Sequence, residues 1–291
     1  MIEIIPLTPE TAAPYRAFTY RTYQAGLGGP EGEAGTLRIA LGVSFMGEPA
    51  GLLLAHPPEQ DEPARVLSVF VEKRFRKLGI AGALMSELKA CLTRIGLKQA
   101  CVEYYALHSY QALERVLLRS GWQSPEVYSR YYRCDIVPNR ETRWIHRFKL
   151  PDRYTVMPWG EVRRDELTLM NQLQEQDFNT YFRPLFQEEH IEPNCSLVLK
   201  LGAEIVGWSI VDRQLADTLL YRTLYIREAY RDLGLGILLA AQSAQRIART
   251  DAAHLVIQIL TGNERMQKVA ERMLVPMNPI VTEYKRAVWN F

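Results

Sequence analysis

The sequence predicts an α/β (α+β) chain of two tandem domains, each a mixed, mostly antiparallel sheet flanked by helices. Three observations predict it. The chain has 291 residues, and at roughly 100–200 residues per domain that length suits two domains. A block of sequence occurs twice at a constant offset of 155 residues, Val69–Ala81 (VFVEKRFRKLGIA) and Leu224–Gly236 (LYIREAYRDLGLG). Around each copy, short β-rich runs broken by Gly or Pro turns come first and an amphipathic helical pattern follows.

The composition is that of a soluble globular chain, 47% hydrophobic and 23% charged. A formal net charge of +2 (35 Lys and Arg against 33 Asp and Glu) excludes a strongly basic nucleic-acid binder and a highly charged disordered chain. No apolar run reaches the roughly 18 residues of a membrane-spanning helix. The opening Met1–Pro6 lacks a basic region and a long apolar stretch, so the expected compartment is the cytoplasm. Neither a nucleic acid nor a membrane is expected as partner. The four cysteines (Cys91, Cys101, Cys134, Cys195) have no C-x-x-C spacing and read as free thiols. The five histidines are dispersed, with no metal-ligand spacing, so no metal is expected.

In chain order, a strand at Glu3–Pro6 precedes a helix over Pro9–Ala25. A meander follows: Thr36–Val43, a turn at Met46-Gly47-Glu48-Pro49, Ala50–Ala55, then Arg65–Val71. After the block, Ile80, Leu84, Leu88, Leu92 and Ile95 recur at helical spacing. A strand (Lys98–Tyr105), a helix (Ser109–Arg119) and terminal strands (Val127–Cys134) complete the half. The second half repeats the order: strand Tyr154–Met157, helix Arg164–Gln176, meander strands Ser196–Leu201, Ile205–Asp212 and Thr218–Ile226. Its helix carries Leu235, Leu238, Ala241, Ala244 and Ala248, followed by strand His254–Leu260, helix Glu264–Met273 and strands in Ile280–Trp289. The polar, Pro-containing Ile136–Thr142 is the boundary, giving domains 1–138 and 142–291.

Physically, the block delivers a strand into a tight Gly-containing turn from which a helix starts at once. The first turn of a helix has unpaired backbone N–H groups and the positive dipole end, a place for an anion such as a pyrophosphate. Gly79 and Gly234 are read as leaving room for a phosphate to approach the backbone. Arg76 and Arg231 either support that anion or shape the turn. No Gly-Lys-Ser/Thr follows, so this is no Walker loop, and no G-x-G-x-x-G dinucleotide pattern is present.

Each half therefore resembles a domain of the GNAT superfamily of acyl-CoA-dependent N-acyltransferases. The pattern is a strand ending in Val or Ile, then five residues later R-x-x-G-x-[GA]. Here it runs from Val71 to Arg76-Lys77-Leu78-Gly79-Ile80-Ala81, and from Ile226 to Arg231-Asp232-Leu233-Gly234-Leu235-Gly236. The tandem layout is similar to that of mycothiol synthases. The resemblance implies acetyl-CoA or another acyl-CoA as co-substrate and the primary amine of a small molecule or peptide as acceptor. It implies that both loops bind the CoA pyrophosphate, with Phe70, Val71, Tyr225 and Ile226 at the strand ends beside pantetheine. It also implies that one domain catalyses while the other is degenerate. An edge strand in either half is able to pair between chains.

The same resemblance implies a base at Glu103, in the strand Cys101–Tyr105, with an Asn position that falls on His108 or Ser109. The helix tyrosine that serves as acid in the family is replaced by Val116 or Leu117; Tyr105 is taken as the acid, with Tyr104, Tyr128 and Tyr131 as alternatives. In the second half Gln258 stands at the carboxylate position and cannot act as base, while Asn263 matches the family's Asn. A base there would come from Asp177, Glu188, Glu189 or His190. The aromatic residues Phe178, Tyr181, Phe182 and Phe186 suit an apolar acceptor or a longer acyl chain. A decayed CoA-binding sensor or scaffold is the reading from another class.

Overall fold

The computed structural model describes residues 1–29, 39–57, 63–107, 110–173 and 180–290. In chain order the strands are β1 (Ile2–Pro6), β2 (Ile39–Phe45), β3 (Glu48–His56), β4 (Ala64–Val71), β5 (Gln99–Tyr105), β6 (Glu126–Asp135), β7 (Tyr154–Pro158), β8 (Leu197–Leu201), β9 (Glu204–Leu215), β10 (Thr218–Ile226), β11 (His254–Leu260) and β12 (Ile280–Asn290). The helices are α1 (Arg21–Gln24), α2 (Ile80–Arg94), α3 (Tyr110–Arg119), α4 (Ile136–Asn139), α5 (Arg143–Arg147), α6 (Arg164–Leu173), α7 (Leu235–Ile247) and α8 (Glu264–Met273). No helix among the described residues is long and apolar enough to cross a membrane.

The chain forms two compact units that do not follow its linear halves. The first comprises Met1–Tyr128 together with Glu283–Phe291; the second is Ser129–Thr282. Relative to boundaries drawn at 138 and 142, the two halves have exchanged their terminal strands. Within the first unit the strand order is β1-β2-β3-β4-β5-β12, and within the second it is β6-β11-β10-β9-β8-β7. Pairing in each is antiparallel except for one parallel pair, β4 with β5 and β10 with β11.

The first unit's core follows from periodicity. Ile80, Leu84, Leu88 and Leu92 fall on one face of α2 and are buried against Leu41, Val43, Leu53, Val66 and Val102 of the sheet. The exchanged β12 contributes to the same core. Ala287 and Trp289, two residues apart on one strand face, are buried, and Trp289 stacks on Trp122 with ring centroids 5.7 Å apart. A second cluster on the opposite sheet face joins Leu7, Tyr15, Leu27, Leu52 and Leu54.

The second unit repeats the plan. Its α7 buries Leu235, Leu239, Ala241, Ser243, Ala244 and Ile247, so Leu235, Ala241 and Ala244 of the expected stripe are buried while Leu238 and Ala248 are only partly so. Ser243 is satisfied there by Ser209 Oγ at 2.7 Å and by donating to the Cys195 carbonyl at 2.9 Å. All four cysteines are free thiols.

Three local readings change. The expected helix over Pro9–Ala25 is a 3-10 turn, Ala13–Phe18, and the four-residue α1. Thr19 is extended and ends the turn, and Pro14 sits where its missing N–H costs nothing. The stretch read as linker is the short α4, with Ile136 buried. Each half ends in one long strand rather than two. Residues 36–38, Ser109 and 174–176 lie outside the described residues.

Because Trp289 comes from the far end of the chain, Trp289→Ala should destabilise the first unit selectively, by about 3–5 kcal/mol. Denaturant unfolding followed by unit-specific hydrogen exchange checks this. Protection lost in residues 1–128 and 283–291 but kept in 129–282 is expected, and an unchanged first unit would contradict the exchanged strand.

Candidate functional site

In both units the parallel pair stops pairing part-way. Thr218–Tyr221 pair with His254–Ile257, after which β10 continues to Ile226 and β11 to Leu260 without partnering each other. In the first unit only Ala64–Val66 pair with Ala100–Val102. The divergence coincides with a bulge. Register slips between Tyr221 and Thr223 so that Arg222 is extra, and between Val66 and Ser68 so that Leu67 is extra. These two residues stand 155 apart. The result is a wedge between two strands, a gap that exposes main-chain groups of the strand ends.

At the mouth of each wedge the chain turns into a helix. Gly79 and Gly234 adopt φ of +83° and +71°. A Cβ at either would meet no protein atom within 4 Å, so glycine is required for its conformation rather than for room. Lys77 also takes positive φ, +66°. Arg76 Nε donates to the Val71 carbonyl at 3.0 Å, and Arg231 Nε donates to the Ile226 carbonyl at 3.0 Å. The arginines thus lock the loop onto its own strand end in both copies. The remaining donors are the first amides of α2 and α7, at Ile80, Ala81, Leu235 and Gly236, which no helix can pair internally. Leu78 and Leu233 sit exposed at the loop tips, and Asp232 lies in the 3-10 turn Glu228–Leu233.

The strand-end aromatics are fixed by packing. Phe70 stacks on Phe18 at 5.3 Å; Tyr225 stacks on Trp208 at 4.4 Å and donates its hydroxyl to the Leu173 carbonyl at 3.2 Å. Asn263 caps α8, its Oδ1 accepting from the Met266 amide at 3.1 Å.

Strand alternation separates two sets of side chains on β5. Ala100, Val102 and Tyr104 face α2 and α3, while Cys101, Glu103 and Tyr105 face the opposite side. Tyr104 donates to Glu114 at 2.8 Å, and Lys285 holds the same carboxylate at 2.9 Å, so Tyr104 is engaged away from Glu103. Burial and Glu114 together push the Tyr104 hydroxyl well above its usual range. On the other face, Tyr284 donates to Glu103 Oε2 at 3.2 Å and Arg286 Nε lies 3.6 Å from Oε1. The Glu103 side chain is 12% exposed. Burial and the neighbouring Glu103 carboxylate hold the Tyr284 hydroxyl far above the normal tyrosine range, so it remains a proton donor. Tyr105, 45% exposed, packs on the Tyr284 ring at 4.9 Å. Tyr128 lies under the Arg286 guanidinium at 5.6 Å. Tyr284 and Arg286 lie some 180 residues from Glu103 in the chain, and only the exchanged strand brings them there. His108 and Ser109 lie outside the described residues.

The second unit carries the corresponding positions with different chemistry. At the 155-residue offset, Glu103, Tyr284 and Arg286 become Gln258, Ser129 and Tyr131. Gln258 Nε2 donates to Ser129 Oγ at 3.0 Å, a neutral contact at the place of the charged one. Tyr131 pairs opposite Gln258 in the ladder. The bulged Arg222 and Asp212 form a fully buried ion pair at 2.5 Å. Arg222 also donates to the Tyr181 and Arg183 carbonyls, and Thr223 donates to that of Phe182. The aromatic segment is therefore strapped onto β10, with Tyr181 and Phe186 rings 5.5 Å apart. Burial pushes the Asp212 carboxyl upward against the pull of Arg222. Glu188 is paired with Arg164 at 2.7 Å, and Glu189 and His190 are exposed. Asp177 and Phe178 lie outside the described residues. Among the described residues no group of three His, Cys, Asp or Glu side chains gathers to hold a metal.

A cavity of about 540 Å³ opens in the second unit's wedge. It begins at Arg231, Gly234 and Asn263 and runs between α7 and α8 over β10 and β11.

Comparison with known proteins agrees with this geometry. The pattern of the Acetyltransferase (GNAT) family matches residues 160–274. No curated protein matches the chain. A tandem GNAT protein from the clavulanic acid biosynthesis pathway superposes over 100% of this chain and 98% of its own, at 14% identity and a TM-score of 0.66. A GCN5-related N-acetyltransferase from Sphaerobacter thermophilus superposes over 99% and 95%, at 16% identity and a TM-score of 0.64. A glucosamine N-acetyltransferase region of a fungal multi-domain β-N-acetylglucosaminidase covers 99% of this chain and 38% of its own, at 8% identity and a TM-score of 0.66. Residues 160–274 thus carry the sequence pattern of the GNAT acetyltransferase family, and the chain as a whole has the fold of tandem GNAT proteins.

Proposed function

We propose that the protein is an N-acyltransferase that moves an acyl group, acetyl by default, from acyl-CoA to the primary amine of a small molecule or peptide. The observation that carries this reading is the duplicated wedge. In each unit a strand end diverging from its parallel neighbour meets a helix start through a positive-φ glycine, with helix amides free for a pyrophosphate. Pantetheine would lie along Phe70 and Val71, or along Tyr225 and Ile226.

Chemistry is assigned to the first unit. Glu103 lies on the sheet face opposite α2, so an acyl group threaded through the wedge emerges beside it. Glu103 takes the proton from the amine. The amine nitrogen attacks the thioester carbonyl carbon, and strand-end amides receive the oxyanion. The C–S bond then breaks, the CoA thiolate takes a proton from Tyr105, and the second proton lost by the attacking nitrogen restores the tyrosine hydroxyl. Tyr284 and Arg286 orient the Glu103 carboxylate. The second unit has Gln258 in place of the base, which supports its reading as the non-catalytic half.

Glu103→Gln should lower kcat by roughly 10²–10⁴-fold with little change in KM for acetyl-CoA, as removal of a general base does. Free-thiol release with an amine panel measures it, and an unaltered kcat would remove Glu103 from the mechanism. A second pair separates the two loops. Gly79→Glu places a charged side chain at a positive-φ position beside the helix start, and turnover should vanish. Gly234→Glu should leave turnover within a few fold while removing one CoA equivalent in calorimetry. Loss of turnover from Gly234→Glu alone would move catalysis to the second unit.

A further inference from the structure

The two units solve the same packing problem differently. In the first, the space between α2, α3 and the sheet is filled by Trp122, Trp289 and Met85, each no more than 5% exposed, with Lys89 Nζ 4.6 Å from the Trp289 ring. The residues 155 positions away are Met277, Cys134, Ala240 and Ala244. Two indoles become a thioether and a thiol, and Met and Lys become alanines. All four replacements line the 540 Å³ cavity of the second unit. A void of this size is costly to keep empty in a close-packed interior, and it falls in the range of small-molecule sites.

The cavity has direction. Along α7 its lining runs from Gly234 to Ala248, roughly 20 Å at the helical rise of about 1.5 Å per residue. Most of that wall is Ile, Ala, Val, Leu and Met. At the far end, beyond reach of the α7 N-terminus, stand two donors. Arg140 Nε and Trp144 Nε1 are buried and have no hydrogen-bond partner on the protein, although both residues line the cavity. Arg140 is held in place by a bond from its terminal amino group to the Thr250 carbonyl at 3.2 Å. The α5 turn that carries Trp144 is tied to α7 by Gln245, which donates to the Ile145 carbonyl at 2.8 Å. Asp135 also lines the cavity, but one of its oxygens is engaged by His254 Nδ1 at 2.8 Å. Buried donors without acceptors are rare, and a cation and an indole N–H lining the same cavity are suited to an anionic acceptor.

We propose that the second unit binds a long-chain carboxylate in this cavity, with the carboxylate on Arg140 and Trp144 and the alkyl chain along the small-residue face of α7. The site is separate from the amine chemistry proposed for the first unit, and only the expectation of unchanged acetyl transfer rests on that assignment.

Dodecanoate titrated calorimetrically into the full chain tests it. One equivalent should bind to the native protein. Met277→Trp/Ala240→Met, which installs the first unit's own residues, should weaken that binding at least tenfold and leave acetyl transfer unchanged. Ala244→Leu serves the same purpose should the double variant fail to fold, with thermal unfolding as the control. Arg140→Gln should weaken dodecanoate by tenfold or more but leave dodecanol within twofold. Absence of dodecanoate binding to the native chain, or equal binding to both filled variants, overturns the proposal. So does full displacement of dodecanoate by CoA with the filled variants losing both ligands, since the cavity would then be only a pantetheine channel. Loss of acetyl transfer in Glu103→Gln has no bearing on these outcomes.

Discussion

A parallel pair of strands that begins to pair and then parts is the constraint on which both units rest. One extra residue on the bulged strand forces the divergence: Leu67 in the first copy, Arg222 in the second. A neighbouring glycine permits it. A Cβ on Gly51 would stand 2.5 Å from the Phe70 carbonyl oxygen, and one on Gly207 would collide with that of Tyr225, so only glycine lets the strand end bend so close. The helix start then falls at the open end of the gap, held there by the arginine that binds its own strand terminus. Strand ends, amides and helix dipole converge because of backbone geometry, so an anion site of this kind needs no excess of basic side chains.

Duplication of that scaffold frees one copy to change. In the first unit, a charged set on one sheet face (Glu103, Tyr284, Arg286) coexists with a core filled by two stacked tryptophans on the other. In the second, the charged set is replaced by Gln258, Ser129 and Tyr131, and the tryptophans by Met277 and Cys134. In the second unit the fully buried charge pair of Arg222 with Asp212 holds a loop. Removing either partner would strand a desolvated charge, so the pair fixes the aromatic segment on β10 even where it adds little net stability. The helical face that is solid in one copy is open in the other.

The exchange of terminal strands binds the two copies into one covalent design. β12 supplies the first unit with both a core indole and the residues that orient a carboxylate, and β6 supplies the second unit's β11 with its partner strand. Neither half of the chain, cut at the middle, contains its own complete sheet.

Much of the local, repeated structure was legible in the sequence, although the helix over Pro9–Ala25 and the linker at Ile136–Thr142 were not. The 155-residue offset, the strand boundaries at Thr218–Ile226 and His254–Leu260, the helix at Glu264–Met273 and the two R-x-x-G loops follow from side-chain period and from glycine at a turn, which act within a few residues. The offset even survives into positions whose meaning was hidden, since Trp289 and Cys134 are equivalent although they sit in strands that change units. Which strand pairs with which was set by long-range packing alone. Both terminal strands have the same alternation, and nothing local distinguishes an edge on β5 from one on β11. For that reason Tyr284 and Arg286 were invisible as partners of Glu103. The arginines' role as loop clamps and the cavity beside α7 were equally hidden. Alanine at a helix position reads as ordinary until the opposing residue across the gap is known.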